Sequence, residues 1–181
     1  FKKWYIEATK KVSEPNAFAL STSYQGKSSS RMMLLKSFSN SFTFYTNISS
    51  RKGRDIKKNN QASMLFWWKE LQRQVRIEGN LYQLSESTVR KYFYSRPKES
   101  QIGALISNQS SEVSSFTDLI EDYNKKRIIY KNKKVPFPKN WTGFQLKPRL
   151  IEFWQGGENR LHQRVEHKRN GKKWDSKVLA P

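Results

Sequence analysis

The chain has 181 residues, of which 35% are hydrophobic and 14% aromatic, and it carries 35 Lys and Arg residues against 15 Asp and Glu residues. This length favours a single domain over residues 1–181, and the apolar content excludes a wholly disordered or collagen-like chain. The absence of cysteine excludes disulfides, thiol nucleophiles and cysteine-based zinc sites, and two histidines make a histidine-built metal site hard to assemble. Because the chain opens at Phe1 rather than at Met, we expect further residues upstream.

Apolar periodicity predicts a first half that is rich in strands and contains two helices. The first helix covers residues 1–12, and Glu14-Pro15-Asn16 ends it. A strand begins at Ala17 and reaches a polar turn at residues 24–27. Residues 31–36 (RMMLLK) have an apolar centre between two cations, which predicts a buried strand. The next segments are predicted to be a strand, a short polar helix and two further strands, at 42–47, 51–60, 62–69 and 72–84.

The second half adds three helices before strands return. Ser85 begins the first helix, Pro97 suits the first turn of the second, and Ser115 with Asp118 resembles a capping box for the third. A basic loop follows at 131–141, and Asn170-Gly171 predicts a type I′ hairpin turn. The remaining strands are predicted at 143–147, 150–155, 161–169 and 172–179. Because regular β-α-β alternation is lacking, we predict an α+β fold with helices inserted into an antiparallel sheet or barrel.

The longest apolar run is Met64–Trp68, five residues long, whereas a helix needs about 20 residues to cross a bilayer. We therefore predict no membrane span, no secretory signal and no membrane partner, and we expect a cytoplasmic protein.

The formal net charge of +20 and the pI near 10.2 describe a field that attracts polyanions. A nucleic-acid-binding module is one interpretation. The excess is spread evenly, however, because residues 1–90 carry 16 basic and 6 acidic residues and residues 91–181 carry 19 and 9. We therefore interpret most of the charge as a solvated surface of biased composition, and we expect no specific nucleic-acid partner.

Two basic clusters lie near predicted strand ends. Ser50-Arg51-Lys52-Gly53 stands where a strand meets a helix, and helix amides with cations can hold a phosphate there, although basic turns are common. On the strand predicted from residue 72, Gln74 and Arg76 share one face. One interpretation is that they have a functional role, and the other is that they belong to a solvated edge strand.

Two further clusters combine cations with aromatic or polar side chains. Tyr92 and Arg96 lie four residues apart on one helical face, with Ser100 within reach beyond the proline. They suggest a pocket for a phosphorylated ring, unless Tyr92 packs in the core. Residues 160, 162 and 164 should share one face of a strand, and the two arginines beside the histidine would repel each other without an anion between them.

In this order, the clusters resemble the pyridoxamine 5′-phosphate oxidase family of flavin enzymes. The matching segments are RMMLLK, FYTN, SRKG, RQVRIEG, YFYSRPKESQIGA, SNQSS, IEFWQG, RLHQR and the terminal LAP. They extend from about residue 14 to Pro181. The resemblance implies an FMN-binding split β-barrel, with the flavin bound between the two subunits of a homodimer.

Position by position, the resemblance implies three sets of contacts. The residues that match FMN contacts are Arg31, Met32, Met33, Leu34, Tyr45, Thr46, Arg51, Lys52, Gln74, Gln109, Ser110, Trp154 and Arg164. The residues that match the substrate-phosphate site are Lys36, Tyr92, Arg96 and Ser100. Arg160 and His162 match the pair that faces the substrate's pyridine ring, and they are the expected catalytic residues. No metal is implied.

The implied activity, part of pyridoxal phosphate synthesis, is the oxidation of pyridoxamine 5′-phosphate or pyridoxine 5′-phosphate to pyridoxal 5′-phosphate. In that reaction a hydride passes from substrate carbon C4′ to FMN, and oxygen reoxidises the flavin. A related split-barrel flavin oxidase of the phenazine type is the alternative, which the four matches at the substrate-phosphate site disfavour.

The chain also departs from the family pattern. It has Gln163 where the family usually has Asp. The N-terminal segment that can fold over the substrate in relatives is expected to lie outside residues 1–181. If strand pleating holds, Gln163 points away from the face that carries His162, and we expect the loss of its charge to have a small effect.

Overall fold

The computed structural model describes residues 1–181, which form two compact units. The first unit comprises Phe1–Phe44, Asp55–Tyr82 and Gln145–Pro181, and the second comprises Tyr45–Arg54 and Gln83–Phe144. The single domain expected from the length stays a prediction.

The helices and strands follow one another in an order close to the one that the periodicity predicts. The helices are α1 (Lys2–Ala8), α2 (Arg51–Lys58), α3 (Glu86–Ser95), α4 (Lys98–Ile106) and α5 (Phe116–Ile129). The strands are β1 (Ala17–Tyr24), β2 (Lys27–Leu34), β3 (Ser37–Phe38), β4 (Phe42–Asn47), β5 (Gln61–Trp68), β6 (Arg73–Gln83), β7 (Trp141–Gln155), β8 (Gln163–Asn170) and β9 (Lys173–Leu179). No helix combines the length and the apolar composition that crossing a bilayer would require.

Most of the sheet belongs to the first unit. Its strands hydrogen-bond in the order β2-β1-β5-β6-β7-β4-β3, and the β8–β9 hairpin joins through β8 to β7. Every second residue of β1 and β6 is buried, including Phe18 and Leu20 on β1 and Val75 and Ile77 on β6. This alternation places Gln74 and Arg76 on the opposite face of β6 from its core side chains.

Two predicted strands, 143–147 and 150–155, are one 15-residue strand, β7. The break predicted between them, at Pro148, is absent. A proline lacks only its own N–H donor, and here the strand continues on both sides of Pro148. Gly79 of β6 lies so close to β7 that an added Cβ would stand 2.1 Å from the carbonyl oxygen of Lys147.

The prediction that residues 31–36 form a buried strand is wrong. Strand β2 ends at Leu34, and Met32 is 66% exposed. Because β2 stands first in the strand order, it pairs with β1 on one side only. An apolar sequence predicts that a strand avoids water, but it does not reveal that the strand lies at the edge of a sheet.

The second unit has its own core, formed by α3, α4 and the chain that follows α5. Val89, Phe93, Ile102, Val135 and Trp141 form its buried centre. The helix starts predicted at Ser85 and Ser115 are confirmed, because the hydroxyl of Ser85 accepts a hydrogen bond from Thr88 N and that of Ser115 accepts one from Asp118 N. Pro97 lies just before the first residue of α4 rather than in its first turn.

Candidate functional site

The junction between β4 and α2 is a tight turn that only a glycine allows. The hydroxyl of Ser50 donates to the carbonyl of Asn47 at 2.7 Å, and the side chain of Asn47 accepts from Ser49 N at 2.8 Å. A Cβ on Gly53 would lie 2.2 Å from the carbonyl oxygen of Ile48. The turn therefore brings the first residues of α2, Arg51 and Lys52, back towards the end of β4.

Five residues predicted to contact FMN meet at this turn. The Lys52 ammonium lies 3.1 Å from both Thr46 Oγ1 and Gln109 Oε1. The Thr46 hydroxyl donates to Gln109 Oε1 at 3.1 Å, and the backbone N–H of Arg51 donates to Ser110 Oγ at 3.3 Å. Two cations, a hydroxyl pair and the amides of a helix N-terminus are the groups that bind a phosphate. The chemistry of this donor set fits the phosphate end of FMN.

A second cluster in the same unit combines stacked aromatic rings with a cation. The Tyr45 ring stacks on Tyr92 at 4.0 Å between centroids and on Trp141 at 5.2 Å. The guanidinium of Arg96 lies over the Trp141 ring at 5.0 Å. Tyr92 thus packs against the core of this unit, which was the alternative to a pocket role, and it also belongs to the cluster around Arg96.

Arg96 has an unsatisfied donor. Its Nη1 atom is buried and has no hydrogen-bond partner. Burial lowers the pKa of Arg96, partly offset by Tyr92, and burial raises the pKa values of Tyr45 and Tyr92. A buried N–H left without an acceptor costs about 1–3 kcal/mol or more. An anion bound beside Arg96 would remove that cost.

Ser100, which is also predicted at the substrate-phosphate site, is partly buried in the first turn of α4. The chain reaches α4 through a break at Pro97, and Gln101 holds that break by donating to the carbonyl of Arg96 at 2.8 Å. Lys36 belongs to the first unit, where its side chain is exposed and its backbone N–H donates to Thr43 O at 2.9 Å.

In the first unit, three more predicted FMN contacts share one face of the sheet. In the strand register, Trp154 pairs with Arg164 and Trp67 pairs with Gln74. Paired residues point to the same face, and the rings of Trp67 and Trp154 meet at 5.9 Å. Gln74, Trp154 and Arg164 therefore lie on one side of β6, β7 and β8.

The predicted FMN contacts on β2 behave differently. The guanidinium of Arg31 donates to the carbonyl of Leu20 at 3.1 Å, to Thr22 Oγ1 at 2.9 Å and to Ser29 Oγ at 2.8 Å. Met32 and Leu34 are exposed, and Met33 is partly buried. The roles of Arg31 to Leu34 in binding FMN stay predictions.

The prediction that residues 160, 162 and 164 share a strand face is wrong. Residues 158–160 form a short 3₁₀ turn, and β8 begins only at Gln163. Asn159 and Arg160 have left-handed backbone, with φ of 51° and 64°. The chain turns back so closely here that a Cβ on Gly157 would stand 2.3 Å from Leu161 O. Gln163 is exposed at the first position of β8, where it pairs with Gln155 on the face opposite to that of Arg164.

His162 is nevertheless held in place within the first unit. Its Nδ1 accepts a hydrogen bond from Gly157 N at 3.2 Å, and its ring lies 4.5 Å from that of Trp154. In a neutral imidazole, an accepting Nδ1 leaves the proton on Nε2. His162 can therefore donate a hydrogen bond from Nε2. Arg160 is exposed, two residues earlier in the same turn.

Two residues of these clusters were not predicted from the sequence. Trp141 stacks with Tyr45, and Glu152 is buried between Arg76 and Arg164. A carboxylate inside the apolar segment IEFW was a signal that a buried cation must accompany it. No local pattern marked Trp141.

Comparison with known proteins agrees with the geometry. The family described as pyridoxamine 5′-phosphate oxidase matches residues 6–125, and the pyridoxine 5′-phosphate oxidase C-terminal dimerisation region matches residues 141–181. A pyridoxine/pyridoxamine 5′-phosphate oxidase from Nostoc sp. is 43% identical over all of this chain and 86% of its own length. The chloroplastic pyridoxine/pyridoxamine 5′-phosphate oxidase 1 of Arabidopsis thaliana is 48% identical over 92% of this chain, which spans only 32% of that protein.

Among solved structures, PhzG from Burkholderia lata in complex with tetrahydrophenazine-1-carboxylic acid superimposes with a TM-score of 0.92. It is 30% identical, and the match covers 99% of this chain and 90% of PhzG. The predicted fold class, an α+β split barrel of antiparallel strands with inserted helices, is confirmed. The two family matches and the relatives of matching length show that this chain belongs to the pyridoxamine 5′-phosphate oxidase family.

Proposed function

We propose that the chain is an FMN-dependent oxidase that converts pyridoxamine 5′-phosphate or pyridoxine 5′-phosphate to pyridoxal 5′-phosphate, with oxygen as acceptor. The observation that carries the proposal is the pair of cationic clusters in the second unit. Lys52 and Arg51 lie at the start of α2, and Arg96 lies beside stacked tyrosines with a buried donor unsatisfied. A flavin phosphate and a substrate phosphate are the two anions that such an enzyme must bind.

When bound, FMN supplies the hydride acceptor that no amino-acid side chain offers. The side chains of the protein bind and orient. Arg51 and Lys52 would hold the cofactor phosphate, and Arg96 would anchor the phosphate of the substrate so that its ring adopts one orientation. His162, fixed by Gly157 N and the Trp154 ring, would donate from Nε2 to the substrate ring. Orientation of this kind can lower a barrier by several kcal/mol.

The active form in this proposal is a homodimer. The dimerisation region covers residues 141–181, and two of its apolar side chains are largely exposed in the single chain, Leu161 by 71% and Val178 by 80%. A second subunit would cover such side chains. Sedimentation analysis should give twice the mass of the 21.5 kDa chain. A cytoplasmic location is part of the same proposal, and imaging of the tagged protein in its own cells would test it.

PhzG supports a second candidate, a flavin oxidase of the phenazine type, because it superimposes on 99% of this chain. Its identity of 30% is lower than the 43% of the Nostoc oxidase over the same span. A basic surface is also a feature of nucleic-acid-binding modules. Such a module would differ from both flavin oxidases in binding no flavin.

The test is direct. The purified chain should show the absorption bands of an oxidised flavin, release FMN on denaturation, and consume oxygen with pyridoxine 5′-phosphate but poorly with unphosphorylated pyridoxine. A protein that binds FMN but oxidises only tetrahydrophenazine-1-carboxylic acid would favour the second candidate. A protein that binds no flavin would contradict both candidates.

A further inference from the structure

Glu152 is a buried carboxylate in the middle of the sheet face that carries three predicted FMN contacts. It is 2% exposed, and it lies on β7 two residues before Trp154, so both side chains point to the same face. Gln74 on β6 and Arg164 on β8 flank this face on either side. Glu152 itself matched no predicted contact with cofactor or substrate.

The carboxylate binds two guanidinium groups at once. Arg164 forms a bidentate pair with it, from Nε to Oε1 at 3.0 Å and from Nη2 to Oε2 at 3.2 Å. Arg76 donates from Nη2 to Oε2 at 2.6 Å. Bidentate pairs set the plane of a guanidinium as well as its position. Burial alone would raise the pKa of Glu152, but the hydrogen bonds from Arg164 and Arg76 outweigh it and lower the pKa, so the carboxylate is ionised.

The two arginines depend on Glu152 to different degrees. Arg76 has a second carboxylate partner, Glu78, at 2.7 Å. Arg164 has Glu152 as its paired carboxylate and otherwise donates from Nη1 to the carbonyl of Ala180, at the C-terminal end of the chain, at 2.9 Å. The side chain of Arg164 is 28% exposed, so without Glu152 it has both the space and the hydration to turn outward.

From this arrangement we propose that Glu152 is a positioning residue for the flavin site. It holds the guanidinium of Arg164 in a single plane on the face shared with Gln74 and Trp154, and it joins that guanidinium to Arg76 across β7. The inference rests on the proposed function, because it assumes that this face binds FMN.

The experiment compares Glu152→Gln with Glu78→Gln in apoprotein titrated with FMN. Gln has nearly the shape of Glu, but its NH₂ group faces the arginine donors and its charge is lost. We expect Glu152→Gln to raise the Kd of FMN at least tenfold and to change the visible circular dichroism of the flavin that still binds. Glu78→Gln removes the other carboxylate of Arg76 and should leave the Kd within threefold of the wild-type value.

The outcomes separate positioning from stability. A Glu152→Gln protein with a lower melting temperature but a wild-type Kd would show a structural role only, and would overturn the inference. An equal loss of affinity in Glu78→Gln would assign the effect to Arg76 and overturn it as well. If Glu152→Gln does not fold, Glu152→Asp decides, because it keeps the charge and withdraws the carboxylate by one methylene. We then expect a Kd raised at least threefold, and a wild-type Kd would contradict the proposal.

The same titration distinguishes this inference from the proposed function. A wild-type chain that binds no FMN would overturn both. A wild-type chain that binds FMN, with variants that bind it equally well, would overturn the role of Glu152 and leave the proposed function standing.

Discussion

Lys52 and Arg96, two cations of the second unit, differ in the hydrogen-bond acceptors that the protein already provides for them. Lys52 donates to three side-chain oxygens and stands at a helix N-terminus, so it is pre-oriented before any ligand arrives. Arg96 packs on Trp141 and keeps one buried N–H without an acceptor. The first arrangement suits a cofactor that stays bound, and the second suits a substrate that comes and goes, because a ligand there relieves an existing cost.

Replacement of Lys52 by Ala should weaken FMN binding. A hydrogen bond to a charged group contributes about 1.5–3 kcal/mol, which corresponds to a Kd raised about tenfold to a hundredfold. Titration of the apoprotein by flavin fluorescence measures this. Lys57→Ala, in the last turn of the same helix, removes the same charge and is the control. An equal Kd in both variants would remove Lys52 from the flavin site.

Arg96→Ala should act on the substrate instead. We expect the KM for pyridoxine 5′-phosphate to rise about tenfold or more, while FMN content and the slow turnover of unphosphorylated pyridoxine stay unchanged. Steady-state oxygen consumption with both substrates provides the measurement. Lys91→Ala, an exposed cation on α3, the helix that ends just before Arg96, is the matched control. If Arg96→Ala instead loses flavin and keeps its KM, the assignments of the two phosphate sites are exchanged.

At the scale of elements, the junctions between strands and helices determine where the functional side chains stand. The β4–α2 turn requires Gly53 because the backbone of Ile48 occupies the space of a Cβ. The turn before β8 requires Gly157 for the same reason and places Arg160 and His162 outside the strand. In both places a glycine brings a basic or aromatic segment next to a strand end.

Gly53→Ala should therefore destabilise the protein, whereas Gly103→Ala should not. The added methyl at residue 53 would meet backbone atoms at 2.2 and 2.6 Å, and nothing lies within 4 Å of a Cβ on Gly103 in α4. We expect a loss of about 1–3 kcal/mol or more for Gly53→Ala and a gain of about 0.5–1 kcal/mol for Gly103→Ala. Urea unfolding of both variants tests this, and equal free energies of unfolding would contradict it.

At the scale of the whole molecule, the main electrostatic feature is the net charge of +20. Seven cations and no acidic residue lie within 125–139, so repulsion is concentrated there as well as spread over the chain. Self-repulsion of this kind destabilises the compact state, and salt screens it.

We expect the free energy of unfolding to increase when NaCl rises from about 10 mM to about 150 mM, because the Debye length shortens from about 30 Å to about 8 Å. Lys131→Glu with Lys133→Glu lowers the net charge by four in an exposed segment and should reduce this salt dependence. Denaturant titrations at the two salt concentrations give both values. A protein that becomes less stable with salt would show that its ion pairs outweigh the repulsion.

Much of the fold followed from the local pattern. Alternation in β1 and β6, the caps at Ser85 and Ser115, and the turn at Asn170-Gly171 each depend on residues a few positions apart, which a linear sequence displays directly. The cluster at α2 was also foreseeable, because a basic strand-to-helix junction is a local feature. The order of the motifs along the chain indicated the family, which the family matches confirm.

The tertiary structure alone decided which residues become partners across the chain. Arg76 and Glu152 are separated by 76 positions, and the edge position of β2 depends on which strand pairs with it. The turn at Glu158–Arg160 depends on how closely the chain returns to β7, so the predicted strand face of Arg160 and His162 failed there. Local periodicity reports which side of an element avoids water. Strand register and sheet order determine what that side meets, and they are set by contacts that short sequence windows do not contain.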